Sequence, residues 1–170
     1  MERRALLVGI ATSVVSTPAW GQMVLTGDGP RPRPPDDPAA ARFVRAQEFA
    51  AGLDRHVGGD VGDFLYHAGI VSHLGLTAYL FNRGLDDAWC RHRLGLDVAK
   101  TLAFANHLGL GCDCNRMAEL AALLGPYGRW RLPHGCDLPD VSAVRPATAV
   151  IGVARLLEDV EQRITDGRFR

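Results

Sequence analysis

From residue 36 onward, apolar positions recur mostly at spacings of three and four, the pattern of helices that bury one face. Asp37-Pro38 offers an N-cap followed by proline at the first helical position. Phe43, Ala46, Ala50, Leu53 and Val57 then form one stripe, which Gly58-Gly59 ends. Phe64 to Phe81 contains no charged residue, and Asn82-Arg83-Gly84 terminates it. A stretch that is apolar all round is either a short membrane span or the central helix of a bundle. His67, His73, Ser72 and Thr77, with the small residues Ala68, Gly69 and Gly75, favour the central helix. Asp86-Asp87 opens a third helix that runs to Gly109 and Gly111. One of its faces carries Trp89, His92 or Arg93, Leu96, Ala99, Ala103 and Asn106; a second carries Leu94, Val98, Leu102 and Ala105. A shorter helix spans 115–124, the segment 129–140 is irregular, and a last helix spans 146–165. In that last helix Val150, Val153, Leu157, Val160 and Ile164 face the core, while Arg155, Glu158, Glu161 and Arg163 face water. No segment alternates apolar and polar residues as a strand would. The expectation is an all-α protein: about five helices in a single orthogonal or bundle-like domain over 36–170, around a largely apolar central helix.

The first residues follow a different grammar. Met1-Glu2-Arg3-Arg4 is net positive, Ala5 to Val15 is uncharged, and Ala19-Trp20-Gly21 places small residues around a cleavage point. That is the three-part pattern of a secretory signal peptide over 1–21, with export to the periplasm or outside the cell. The Arg pair matches a twin-arginine signal only in part, so the route stays open. Residues 22–35 hold Gly27, Gly29, Pro30, Pro32, Pro34 and Pro35, a composition that predicts an extended tether.

Composition narrows the functional classes. The 170 residues carry 19 basic and 19 acidic side chains, and 47% of them are hydrophobic. An apolar share of that size supports a folded domain. With zero net charge and no basic stripe, nothing points to nucleic acid.

The candidate chemistry is sulfur and imidazole. Cys90, Cys112, Cys114 and Cys136 make an even count, which in an exported chain favours disulfides. Cys112–Cys114 is the least favoured pairing because one intervening residue makes a strained ring. That leaves Cys90 with one of those two and Cys136 with the other. The alternative is a zinc or copper site, of a metal-binding protein or a metallo-enzyme, drawn from His107, Cys112, Cys114, His134 and Cys136, more than the four N/S ligands a tetrahedral ion needs. A redox thiol pair is a third option, without the support of a C-x-x-C motif.

Catalytic signatures are missing. Ser72 and Ser142 lie outside any G-x-S-x-G context, and no H-E-x-x-H, phosphate loop or haem motif occurs. Cys90-Arg91-His92-Arg93 resembles the Cys…His-Asp helix of secreted phospholipases A2, but Arg93 stands where that chemistry requires Asp. His67 and His73, six residues apart, project in different directions and cannot share an ion. Asp60 and Asp63 read as helix-start residues, and Trp89, Trp130 and Tyr127 as packing. Cys114, a short helix, then Cys136-Asp137-Leu138-Pro139 and an apolar helix resemble the order in Rap1a/Tai-type periplasmic immunity proteins. That resemblance spans 112–160 and implies a small exported helical protein that neutralises a toxin. The family's Gly-Tyr element is replaced by Asn115-Arg116-Met117.

The reading preferred from sequence is an exported, disulfide-stabilised helical protein that binds a protein partner. No cofactor, no nucleic acid and no membrane span in the mature chain are expected, and no catalytic residue is assigned.

Overall fold

The computed structural model describes residues 37–131 and 138–166. The segments expected to be a signal peptide (1–21) and a tether (22–35), and with them His134 and Cys136, lie outside the described residues. Among the described residues there are seven α-helices, one 3-10 helix and no strand. In chain order these are α1 (Pro38–Ala50), the 3-10 helix (Leu53–His56), α2 (Val61–Asn82), α3 (Asp87–Arg93), α4 (Val98–His107), α5 (Asn115–Leu124), α6 (Gly128–Arg131) and α7 (Pro146–Asp166).

Aspartate starts four of these helices by one device. Asp37 accepts hydrogen bonds from the amides of Ala39 and Ala40, Asp60 from Asp63, Asp86 from Trp89 and Asp97 from Lys100. Each satisfies an N-terminal amide with no partner inside its helix, a contribution of about 1 kcal/mol.

Asp97 also explains the largest departure from the expected pattern. The predicted third helix is two helices, broken at Leu94–Asp97. Gly95 takes φ +63, a left-handed value that side chains resist, and Asp97 caps a fresh start. The break leaves Leu96 at 48% exposure, and Ala103 exposed, where a continuous helix would have packed them. Leu94, Val98, Leu102 and Ala105 are buried as expected. The first helix also stops sooner than its stripe suggests. It ends at Ala50, and Leu53 reaches the core from the tighter 3-10 turn. The irregular segment after Tyr127 opens with the short α6. The break and α6 turn about five helices into seven, and the early stop of α1 adds the 3-10 helix.

The long apolar helix α2 lies at the centre and packs against α1, α7, α4 and α6. Phe64, Leu65, Ala68, Val71, Leu76 and Leu80 are completely buried. By length and composition α2 is apolar enough to cross a membrane, and 67% of that apolar stretch is buried within the fold. Its glycines let neighbours approach closely. A Cβ at Gly69 would stand 2.2 Å from Tyr127 Cβ, and one at Gly75 would stand 2.6 Å from a Leu157 methyl.

Candidate functional site

The turn between α4 and α5 carries His107, Cys112 and Cys114, three of the five residues whose chemistry stood out in the sequence. Gly109, at φ +93, closes α4, and the Leu110 amide donates back to the Ala105 carbonyl. Beyond that point the chain has no secondary structure until Asn115, so its backbone polar groups need other partners.

Three side chains from three helices supply them. Tyr79 of α2 donates its hydroxyl to the Leu108 carbonyl at 2.8 Å. Arg163 of α7 donates Nε to the Leu110 carbonyl at 3.1 Å. Asn106 of α4 grips Cys112 twice, accepting from its amide at 2.9 Å and donating to its carbonyl at 2.8 Å. Leu110 anchors the turn in the core at 1% exposure. The result is a loop with helix-like constraint and without helical hydrogen bonds.

The turn presents its two thiols differently. Cys112 is buried and Cys114 is exposed, and both are free. The Asp159 carboxylate of α7, Cys114 and Asp113 surround the Cys112 thiol electrostatically. Burial first, then that carboxylate, pushes the Cys112 thiol up to about 12. Cys114 stands at the N-cap of α5, where its carbonyl accepts from the amides of Met117 and Ala118. Its side chain makes no capping bond.

Cys90 belongs to another region. It is a free, buried thiol on α3, and its charged neighbours are Asp87, Arg42 and Asp86. Burial, with Asp87 second, raises it to about 12. Cys90 and Cys112 therefore face different side chains, and neither is bonded to Cys114. His107 is exposed, its ring 6.5 Å from that of Phe104. Among the described residues, no group of three or more His, Cys, Asp or Glu side chains is placed to hold a metal ion.

A second polar cluster runs along α2. His67 stacks on His56 with ring centroids 3.9 Å apart, and its Nδ1 donates to the Asp63 carbonyl at 2.8 Å. His73 lies 5.7 Å from the Tyr127 ring, so the two α2 histidines meet different partners. Burial chiefly, then the Arg42 charge, lowers His73 to about 4, against the opposing pull of Asp87. Arg42 itself pairs with Asp87 at 2.7 Å and covers the Phe81 ring.

The aromatic residues pack as their positions imply. Trp130 is buried and donates Nε1 to the Leu123 carbonyl, and Trp89 lies against Phe104. Asp159 and Arg163 escaped the sequence reading because both sit on the polar side of α7, where charge is read as solvation. Nothing local marks either as a partner of a turn some fifty residues earlier. No family model matches the chain, and no curated protein and no solved structure matches it.

Proposed function

We infer that this is an exported helical protein that acts by binding a protein partner, and that the outer face of α7 is its contact surface. The observation that carries the reading is Ile151, a large apolar side chain 60% exposed in the second turn of α7, opposite the helix's buried stripe. Ala147 and Ala154, four before and three after it, are exposed on the same side, with Arg155 and Glu158 at the margin. An apolar centre with a charged rim is the usual composition of a contact surface. Val44 of α1, a helix that touches α7, is also 51% exposed. Burying an isoleucine of this kind is worth roughly 1.5–3 kcal/mol, enough to act as an anchor.

The test is cross-linking of tagged protein in the exported fraction, comparing wild type with Ile151→Asp. A second protein joined to the wild type and lost from the variant, with unchanged melting, supports the reading. No joined protein, or one joined equally to both, ends it. Export is tested separately by the N-terminus, expected at Gln22; recovery with Met1–Gly21 attached would remove that part.

A further inference from the structure

The outer face of α7 is distinguished by its charges as much as by its apolar centre. Ala147, Ile151, Ala154 and Glu158 follow one another at four, three and four residues, so they share one exposed side, which Glu161 continues. The first half of that side is apolar and the second half acidic. Arg145, just before the helix, is exposed, and the first turn holds no acidic residue. Its guanidinium reaches only the nearby carbonyls of Ser142 and Val144, at 3.4 and 3.5 Å. Among the described residues, Arg145, Glu158 and Glu161 form no ion pair.

These charges run in the same sense as the dipole of the helix itself, positive at its start and negative toward its end. Aspartate side chains settle the N-termini of α1 to α4, whereas α7 begins behind an arginine and ends at Asp166. Arg163, the basic residue of its last turn, donates to the Leu110 carbonyl. Such a distribution gains nothing within one molecule. It is complemented by an identical helix running the opposite way.

We propose that the partner of this face is a second copy of the same chain, the two α7 helices packing antiparallel about a two-fold axis beside Ile151. The proposal rests on α7 being the contact surface and names what it contacts. Arg145 lies six residues before Ile151 and Glu158 seven after it. Setting the two Ile151 side chains against each other therefore brings each Arg145 level with Glu158 of the second copy, to within about one residue's rise of 1.5 Å. The two-fold axis makes that contact twice. Ala147 and Ala154, on either side of the centre, let the helices approach closely around the isoleucines. Arg155 falls level with Ala147 and Thr148 of the second copy, so the arginines stay apart. A parallel pair would instead set Glu158 against Glu158 and Glu161 against Glu161.

Sedimentation equilibrium of the purified full-length protein tests this. Wild type is expected to show a monomer–dimer equilibrium with a dissociation constant on the order of 10–100 μM, as suits the small face of one helix. Ile151→Asp should weaken it by about 30-fold or more. Arg145→Glu and Glu158→Arg should each weaken it roughly fivefold to tenfold, and the double variant should return to within about threefold of wild type. All these positions are exposed, so melting should not change. Under mild oxidation Ile151→Cys should join to itself, as peptide mapping of the introduced thiol shows. Glu158→Cys, whose two copies stand roughly 20 Å apart along the antiparallel pair, should not. Wild type that stays monomeric to about 200 μM overturns the self-pairing and leaves α7 as a contact surface to its own cross-linking test. A dimer indifferent to Ile151→Asp overturns both. A double charge variant no tighter than the single ones, or Glu158→Cys joining to itself as readily as Ile151→Cys, overturns the antiparallel arrangement.

Discussion

The seat of α2 against Tyr127 and the turn at 108–114 are both well ordered, but opposite forces order them. At the α2 seat, atoms are packed without spare volume. Gly69 admits Tyr127, and Gly125 lies so close to α4 that a Cβ there would stand 2.5 Å from the Val98 amide nitrogen. At the turn, order comes from polar side chains reaching across to backbone groups that no helix satisfies. A packed seat fails when volume is added, and a clasped turn fails when a donor or acceptor is removed. The turn's arrangement leaves sulfur chemistry accessible, whereas the α2 seat seals its polar groups away.

The largest effects are expected at the packed seat. Gly125→Ala forces a methyl against the backbone of Val98 and Ala99, which cannot rotate aside. Gly69→Ala drives one into the Tyr127 side chain at its root. Each is expected to cost about 3 kcal/mol in denaturant unfolding, the upper part of the range for overpacking. Gly75→Ala meets only the flexible end of Leu157 and should cost clearly less. Equal losses at all three positions would show that backbone rigidity is not what separates them.

Acid acts on the same region through His73. The folded protein holds this ring neutral down to about pH 4, whereas the unfolded chain protonates it near the ordinary value of 6.5. Its contribution to stability is therefore complete above pH 6.5 and disappears as pH falls from 6.5 to 4, a loss of up to ~3 kcal/mol. His73→Gln should flatten that part of the pH–stability curve. An unchanged curve would mean that other groups carry the acid response.

At the turn the expected losses are smaller and set by hydrogen bonds. Asn106→Ala removes both bonds to Cys112 and should cost about 2 kcal/mol; Tyr79→Phe removes one and should cost about 1 kcal/mol. Hydrogen exchange should localise both effects to 108–114. If Asn106→Ala instead loosens the whole fold, the turn is part of the core and the contrast fails.

How far the sequence could be read follows the same division. Asp37-Pro38, Asp86-Asp87 and the uncharged stretch at 64–81 announced helices because caps and one-sided or all-round apolarity are local properties. The helix at 115–124 was legible to the residue. The break at Gly95 was not, since Leu94, Val98 and Leu102 keep helical spacing across it; only the packing of each half shows that the chain turns there. Ala50 and Val57 continued a stripe that the backbone leaves for a 3-10 turn.

The candidate chemistry was legible as residue types, and its arrangement was not. Cys112 and Cys114 are neighbours in any fold, but which one is buried depends on where Leu110 and Asn106 fasten the turn. Asp159 and Arg163 become partners of that turn only because α7 passes beside it. The sequence by itself determined helical character, helix starts and the apolar central helix, because backbone hydrogen bonding and burial of a face act within a few residues. Tertiary structure alone decided which glycines are contact points and which carboxylate meets which thiol, because those depend on distances between segments far apart along the chain.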